Sequence, residues 1–463
     1  MKLNYFNFKK FNNKYLLTND FGNYCFIAEN DLKSLVKKEI DANSDLANML
    51  VKNRMIYFQN NLDFSATNKY DMRESKAYVS TSTSLHIFVV TTACNMSCVY
   101  CQANNGAKCS NLYMNELTAK KAVDVALQSP SYDLSFEFQG GEPLLNFDII
   151  KYIIEYAEQN KGNHCINYNL VSNLTLLTDD IVDFLKKYCV GVSTSLDGPE
   201  ELHNSNRPFF NGGETWNMVV AGVKKLREAG CTVGAIQTTT KESLKYPREI
   251  VRTYSNMGFN SIFLRPLTPL GKATCNWDDI GYSPDMFVEF YKEALDELMK
   301  INMEGHFIKE DHASIFLRKI DGQFVNYMEL RSPCGAGLGQ LAYYPDGNVF
   351  TCDEGRMVYE MGADTFKLGS VFKNSFTDMV GCSVCKTVCK ASILETIPTC
   401  CDCVYQPYCG TCPVINYAAY DDVIEKQPRG YRCKIYSGIL DCIFELLMEE
   451  SKIEKDILIK WGN

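Results

Sequence analysis

The sequence predicts an α/β protein: a partial (β/α)6 TIM barrel, preceded by a small winged-helix-like unit and followed by a cysteine-rich domain. Three observations predict it. A strand-then-helix rhythm repeats six times from residue 85. Residues 1–60 carry a hairpin pattern and two short helical patterns. Eleven of the 21 cysteines crowd into residues 334–433. A chain of 463 residues has room for two to four domains, and the boundaries are placed at 1–85, 86–310 and 311–463.

In the first unit, the apolar runs 15–18 and 24–27 flank a polar loop that contains Gly22, a hairpin signal. Helical spacing follows at Leu32, Leu35 and Val36, then at Leu46, Met49 and Leu50. Residues 56–58 return as a strand, and the Ser/Thr/Lys-rich stretch 67–83 reads as a linker. An open strand edge beside two helices suits capture of an extended peptide. In the second unit the strands are predicted at 85–90, 134–138, 166–171, 190–195, 232–237 and 261–264. Helices are predicted between them, at 117–127, 147–158, 179–187 and 216–228. Six units are fewer than the eight that close a TIM barrel. Chemistry in such sheets sits at the C-terminal strand ends. Cys94 follows the first strand, Gly140, Gly141 and Glu142 the second, Asn173 the third and Asp197 the fourth. A helix at 284–302 leads into the cysteine-rich region, and one at 439–453 closes the chain.

Composition excludes several classes. With 46% hydrophobic and 22% charged residues the chain is globular rather than disordered. No apolar run reaches the ~18 residues of a membrane span, and residues 1–10 lack a secretory signal. The net charge of −9, without a basic block, argues against nucleic acid as a partner. The expected compartment is cytoplasmic and reducing, so the cysteines are not a disulfide framework. Those spaced by Gly, Pro, Asp and Thr rather than set in apolar stripes mean metal. Cys25, Cys165, Cys189, Cys231 and Cys442 lie in apolar patterns and read as core.

Cys94, Cys98 and Cys101 form Cys-x3-Cys-x2-Cys. Three thiolates in a tight loop can hold three irons of a 4Fe–4S cluster and leave one open. The competing reading is zinc, which wants a fourth protein ligand, with Cys109 as the candidate. The triad, its place after the first strand, and Tyr100 resemble the radical S-adenosylmethionine enzymes. That resemblance implies that the open iron chelates the cofactor and that its one-electron cleavage yields a 5′-deoxyadenosyl radical. The segment Gln139, Gly140, Gly141, Glu142, Pro143 matches the family's Gly-Gly-Glu-Pro. Its glycines would let backbone approach a ligand, and Glu142 would pair with the cofactor ammonium. Ser195, with Asp197, Gly198, Pro199, His203 and Arg207 after it, matches the subset acting on peptides and proteins. Ser195 would touch the cofactor. Arg207 would pair with its carboxylate or make a surface salt bridge. Asn173 stands where the family has Asn-Gly near the ribose, with Leu174 in place of the Gly.

The second cysteine region resembles the SPASM extension, which carries two auxiliary clusters. Cys334 is followed by Gly347 and Cys352. Then come Cys400, Cys403, Cys409 and Cys412, and finally Cys433. Two residues separate Cys409 from Cys412, one fewer than the family pattern. The resemblance implies that Cys334, Cys352 and Cys412 hold an inner cluster, and Cys400, Cys403, Cys409 and Cys433 an outer one. The inner set is one ligand short. Substrate, water, or one of Cys382, Cys385 and Cys389 would supply it. Asp353, directly after Cys352, is the candidate catalytic base, with a plain turn residue as the alternative. The run from Tyr15 to Phe26 and that from Cys403 to Pro413 are similar to the His-Xaa-Ser-system peptide maturases.

The expected function is a radical S-adenosylmethionine enzyme with three 4Fe–4S clusters that installs an intrapeptide crosslink. The bond is a thioether, a carbon–carbon bond or an ether. The substrate is a ribosomal precursor peptide whose leader binds residues 1–85, and the external one-electron donor is of flavodoxin or ferredoxin type. The alternatives are side-chain oxidation of a protein, as in sulfatase maturation, and a non-catalytic zinc scaffold.

Overall fold

A computed structural model describes residues 1–58, 69–70, 73–74, 76–103, 111–424, 430–448 and 452–463. The chain begins with β1 (Lys2–Leu3), β2 (Asn7–Phe11), β3 (Lys14–Thr18) and β4 (Tyr24–Ala28). Helices α1 (Glu29–Lys37) and α2 (Asp45–Lys52) follow, then β5 (Ile56–Tyr57), which pairs with β1. The expected hairpin is β3–β4. It turns on Asn19, whose Oδ1 accepts from the N–H groups of Phe21 and Asn23, with Gly22 at φ 80°. The sheet has a third strand, in the order β2-β3-β4. The β2–β3 link is the two-residue turn Asn12-Asn13, with Asn12 left-handed at φ 51°. Leu17, Ile27, Leu35 and Leu50 give this unit a core of its own.

The six expected barrel strands are present and parallel. They are β6 (Leu85–Thr91), β7 (Asp133–Gly140), β8 (Cys165–Val171), β9 (Gly191–Ser195), β10 (Val233–Thr238) and β11 (Ser261–Arg265). The covering helices are α3 (Glu116–Ala126), α4 (Phe147–Asn160), α5 (Asp179–Lys187), α6 (Glu200–Asn206), α7 (Trp216–Glu228) and α8 (Pro247–Asn256). Side-chain caps start two of them: Asn115 accepts from Thr118 N and Thr178 from Ile181 N. Period-2 alternation sorts the strand residues. Phe136 and Phe138 are buried in the core that contains Ile149 and Ile153 of α4, whereas Glu137 and Gln139 line the cavity within the sheet.

After α9 (Pro284–Met303), β12 (Lys309–Glu310) and α10 (Asp311–Ile320), the chain returns to the sheet. β13 (Gln340–Tyr343) pairs in parallel with β6, and β14 (Asn348–Phe350) and β15 (Lys367–Ser370) continue outward antiparallel. The sheet therefore has ten strands, from β12 at one edge to β15 at the other. α11 (Asp353–Glu360) sits between β14 and β15, and α12 (Ser383–Ala391) and α13 (Pro413–Tyr420) follow. The closing helix expected at 439–453 is two helices, α14 (Tyr431–Met448) and α15 (Lys452–Gly462). Trp461, fully buried, accepts from Ser314 Oγ through its carbonyl, so α15 docks on α10.

The N-terminal sheet packs on the cysteine-rich segment. Thr18 Oγ1 donates to Val404 O (2.7 Å), Tyr408 Oη to Gly22 O (2.8 Å) and Asn7 Nδ2 to Cys403 O (3.2 Å). The described part of the expected linker is pinned rather than loose: Tyr78 Oη donates to Ser332 O and Thr83 Oγ1 to Leu338 O. Among the described residues no helix is long and apolar enough to cross a membrane.

α9 and α14 pack closely at Gly438, where a Cβ would lie 2.2 Å from Val288 Cγ2. Gly438→Ala is expected to lower unfolding stability by about 1–3 kcal/mol through overpacking. Val288→Ala in the same chain should return part of that loss. Denaturant titration of the single and double variants checks this.

Candidate active site

The loop after β6 carries Cys94, Cys98 and Cys101 and is tied down from several sides. Ser97 N donates to Pro208 O (2.8 Å), Val99 N to Asn206 O (2.9 Å) and Lys272 N to Cys101 O (2.8 Å). Asn276 Nδ2 donates to Val99 O (2.8 Å). The three thiols lie within electrostatic reach of one another. Burial pushes Cys94 up to about 11 and Cys101 up to about 12. Thiols this hard to ionise become thiolates when a metal takes the proton's place. Among the described residues no three His, Cys, Asp or Glu side chains form the compact set that one metal ion takes. Cys109, the candidate fourth zinc ligand, lies outside the described residues.

The glycine pair meets the cysteine loop backbone to backbone. A Cβ at Gly140 would lie 2.2 Å from Thr91 O, and one at Gly141 2.3 Å from Ala93 O. Gly141 N donates to Thr91 O and Glu142 N to Ala93 O. The absent side chains thus make room for the backbone of the cysteine loop, while both glycines line the cavity. Glu142, 1% exposed, accepts from Leu144 N (3.0 Å) and Ser172 Oγ (2.8 Å) on Oε1 and from Asn173 N (2.8 Å) on Oε2. Burial raises its pKa against those three hydrogen bonds. It ties β7 to the end of β8 while still lining the cavity.

Asn173 Nδ2 donates to Asn95 Oδ1 (2.9 Å), which links the third strand end to the cysteine loop. Leu174 holds φ 62°, the left-handed conformation that suits a glycine. Its side chain fits because α7 has Gly222 opposite, where a Cβ would lie 2.8 Å from Leu174 Cβ. Ser195, at the end of β9, lines the cavity, and Gln139 Nε2 donates to Glu137 Oε1 (2.6 Å).

Arg207 is buried, which overturns the surface salt bridge. Its Nη1 donates to Tyr100 Oη (2.8 Å), and Tyr100 Oη donates to both oxygens of Asp197 (2.8 Å each). Arg207 Nε has no partner among the described residues, and Arg207 lines the same cavity as Cys94 and Cys98. A buried unpaired guanidinium N–H fits an anionic group bound there. His203 Nδ1 accepts from Asp197 N (3.3 Å). Burial, then the charge of Arg207, pushes that imidazole down to about 3, so it is neutral.

The cavity measures about 690 Å³ and runs from this loop to α11. There Cys352 caps the helix, its Sγ accepting from Gly355 N (3.4 Å). Cys334, Cys352 and Cys412 gather in one buried cluster with Met357 and Phe366. Cys403, Cys409 and Cys433 surround Cys400, with Cys401 beside them. Cys385 neighbours Cys382 and Cys389 and donates from Sγ to Gly337 O. Of the expected core cysteines, Cys25 and Cys442 are buried, but Cys165 and Cys189 are exposed and Cys231 is half-buried. Asp353 faces the cavity with Oδ1 paired to Arg356 Nε (2.7 Å). Sequence reading missed three cavity carboxylates: Glu137, Glu329 and Glu354. Only Glu137 carried a signal, being two residues before Gln139 on one strand face. Glu329 pairs with Arg265 Nη2 (2.9 Å) and Arg432 Nη2 (3.6 Å).

Over residues 88–254 the chain matches the Radical SAM superfamily. Its fold is that of the SPASM-type maturases. It superposes on the structure described as native anSMEcpe with bound AdoMet (TM-score 0.69, 21% identity, 81% of this chain and all of that one). It also superposes on Streptococcus suis SuiB bound to precursor peptide SuiA (TM-score 0.56, 14% identity, 91% and 98%). In sequence it is 34% identical to an uncharacterised protein of Methanocaldococcus jannaschii over 40% of this chain and 63% of that protein. It is 26% identical to the radical SAM cyclopropyl synthase TigE of Paramaledivibacter caminithermalis over 57% and 56%. It is 22% identical to a cysteine-type anaerobic sulfatase-maturating enzyme of Clostridium novyi over 71% and 87%. The chain thus spans about three fifths of the length of the first two relatives.

Tyr100→Phe removes the hydroxyl that joins Asp197 to Arg207 and leaves both buried without it. The expected cost is about 1–3 kcal/mol of unfolding stability. Denaturant titration against the parent checks it, and equal midpoints would remove the structural role of this chain of contacts.

Proposed function

We propose that the protein is a peptide-modifying radical enzyme that installs an intrapeptide crosslink, a thioether, carbon–carbon or ether bond, in a ribosomally made precursor. One observation carries the reading: a single cavity runs from the first cysteine triad, with Arg207 and its unpaired Nε on the same wall, to Asp353 at the start of α11, the helix that Cys352 caps. When bound, a 4Fe–4S cluster and S-adenosylmethionine supply one-electron cleavage of a sulfonium and the 5′-deoxyadenosyl radical that abstracts hydrogen.

In this reading Cys94, Cys98 and Cys101 hold the cluster. Arg207 takes the cofactor carboxylate, and Tyr100 and Asp197 hold the guanidinium in place. Glu142, Gln139, Asn173 and Ser195 shape the rest of the cofactor wall, Glu142 chiefly by fixing the end of β8. Asp353, steered by Arg356, accepts a proton from the peptide group that forms the new bond. Cys334, Cys352 and Cys412 hold an inner auxiliary cluster. Cys400, Cys403, Cys409 and Cys433 hold an outer one, the point of entry for an electron from a flavodoxin- or ferredoxin-type donor.

Residues 1–58 recruit the leader. β4 is an edge of its sheet, and among the described residues no backbone group pairs with its outer side. An extended leader can add there beside α1. SuiB has been described with its precursor peptide bound, which supports a peptide substrate. The sulfatase-maturating relatives support a second reading, oxidation of one protein side chain. A protein substrate needs no dedicated leader site, so recruitment separates the two.

Cys98→Ala, reconstituted anaerobically with S-adenosylmethionine and dithionite, is expected to release no 5′-deoxyadenosine. It should lose about four irons and keep the remainder. Release at the parent rate would remove the triad assignment, and zinc without sulfide in the parent would leave only a scaffold. For recruitment, Phe26→Pro should block strand addition at β4. Affinity for the peptide encoded by a short reading frame beside the gene should fall at least tenfold, while uncoupled cofactor cleavage persists. Unchanged affinity would return this unit to a structural cap.

A further inference from the structure

Cys334, Cys352 and Cys412 make three ligands where a cubane cluster has four corners to fill. Of the candidates named from sequence for the fourth place, Cys385 is turned to another task. Its Sγ donates to Gly337 O at 3.1 Å, and Cys382 and Cys389 are its thiol neighbours. The group that does stand with the three thiols is a carboxylate. Glu354 lies in the first turn of α11, two residues after Cys352, and is within electrostatic reach of Cys334, Cys352 and Cys412 alike.

Its surroundings give it nothing else to do. Among the described residues, Glu354 accepts no hydrogen bond from any other residue and makes no ion pair. Its one hydrogen bond is to its own backbone N–H. The neighbouring acid Asp353 has taken Arg356, and Arg356 also serves Glu360 (3.1 Å). Arg265, the cation nearest in effect, is committed to Glu329. Half-buried and without a cation of its own, the carboxylate is an oxygen donor left available to a metal. The side chain also lines the cavity, whereas the three cysteines do not. It therefore stands on the cavity side of the thiol set, where a fourth ligand would face the substrate.

We propose that Glu354 is the fourth ligand of the inner auxiliary cluster, a carboxylate closing the corner that faces the cavity. This rests on the reading of Cys334, Cys352 and Cys412 as cluster ligands. It makes the inner cluster chemically unlike the outer one. The outer set has four thiolates, whereas the inner set presents one weaker oxygen donor that an incoming thiolate can be tested against.

The experiment uses the full chain carrying Cys98→Ala, which silences the first cluster, reconstituted with iron and sulfide. EPR and Mössbauer spectra are taken with and without 2-mercaptoethanol. With Glu354 present, the inner-cluster spectrum should be insensitive to the thiol. In Glu354→Gln the g values should shift, and the thiol should then bind and shift them again. Glu354→Cys should give the thiol-bound spectrum without added thiol, and it also serves if the glutamine variant does not fold. Identical spectra for parent and Glu354→Gln, or a parent spectrum that moves with thiol as far as the variant's, would overturn the assignment. Cys412→Ala separates the two levels. A loss of about four irons upholds the cluster itself, whereas unchanged iron removes the cluster and this inference with it.

Discussion

The site depends on a backbone-to-backbone contact. At the end of β7 two residues without side chains lie against the peptide groups of Thr91 and Ala93. Any Cβ there would sit inside van der Waals distance of a carbonyl oxygen. This contact sets the cysteine loop against its neighbouring strand. Glu142 then carries the alignment onward, taking Ser172 and Asn173, and Asn173 closes the circuit by bonding Asn95 in the cysteine loop. Three strand ends are thus referenced to one another by short polar links rather than by apolar packing. The position of the thiols is consequently a property of the sheet and not of a free loop.

The same economy governs the buried charges. Arg207, Tyr100 and Asp197 satisfy one another in a line, with a neutral His203 completing the Asp197 backbone. A buried cation costs too much unless opposed. Here Asp197 opposes it through a hydroxyl, and among the described residues its Nε has no partner. At the far end of the cavity Glu329 plays the reverse part, held well below the usual carboxylate range, to about 2. Burial works against that shift, and Arg265 and Arg432 overcome it. Arg432 directly precedes Cys433, so one ion pair connects the cavity wall to both cysteine sets.

The N-terminal sheet packs on the cysteine-rich segment. It grips the segment 401–408 through Asn7, Thr18 and Gly22, next to the outer cysteine set.

Much of this was legible in the residues themselves, because periodicity is a local property. The six barrel strands and the helices 116–126, 147–160, 179–187 and 216–228 follow from alternation and 3.6-residue spacing, which no distant contact overrides. Cys334, Cys352 and Cys412 lie together, as do Cys400, Cys403, Cys409 and Cys433. What stayed hidden depends on partners far away in the chain. β13 is a four-residue strand that exists because β6 offers an edge, and β2 exists because Asn12 tolerates a left-handed turn. Arg207 left two readings open, the cofactor carboxylate or a surface salt bridge, until its burial removed the second. Glu354 carried no signal in the sequence, and its place on the cavity wall is set by the fold. The sequence by itself determined which groups are chemically able to bind metal and cofactor, since ligand type and spacing are written in it. Only the tertiary structure decided which of them are left without a partner, because burial and pairing are set by residues hundreds of positions apart.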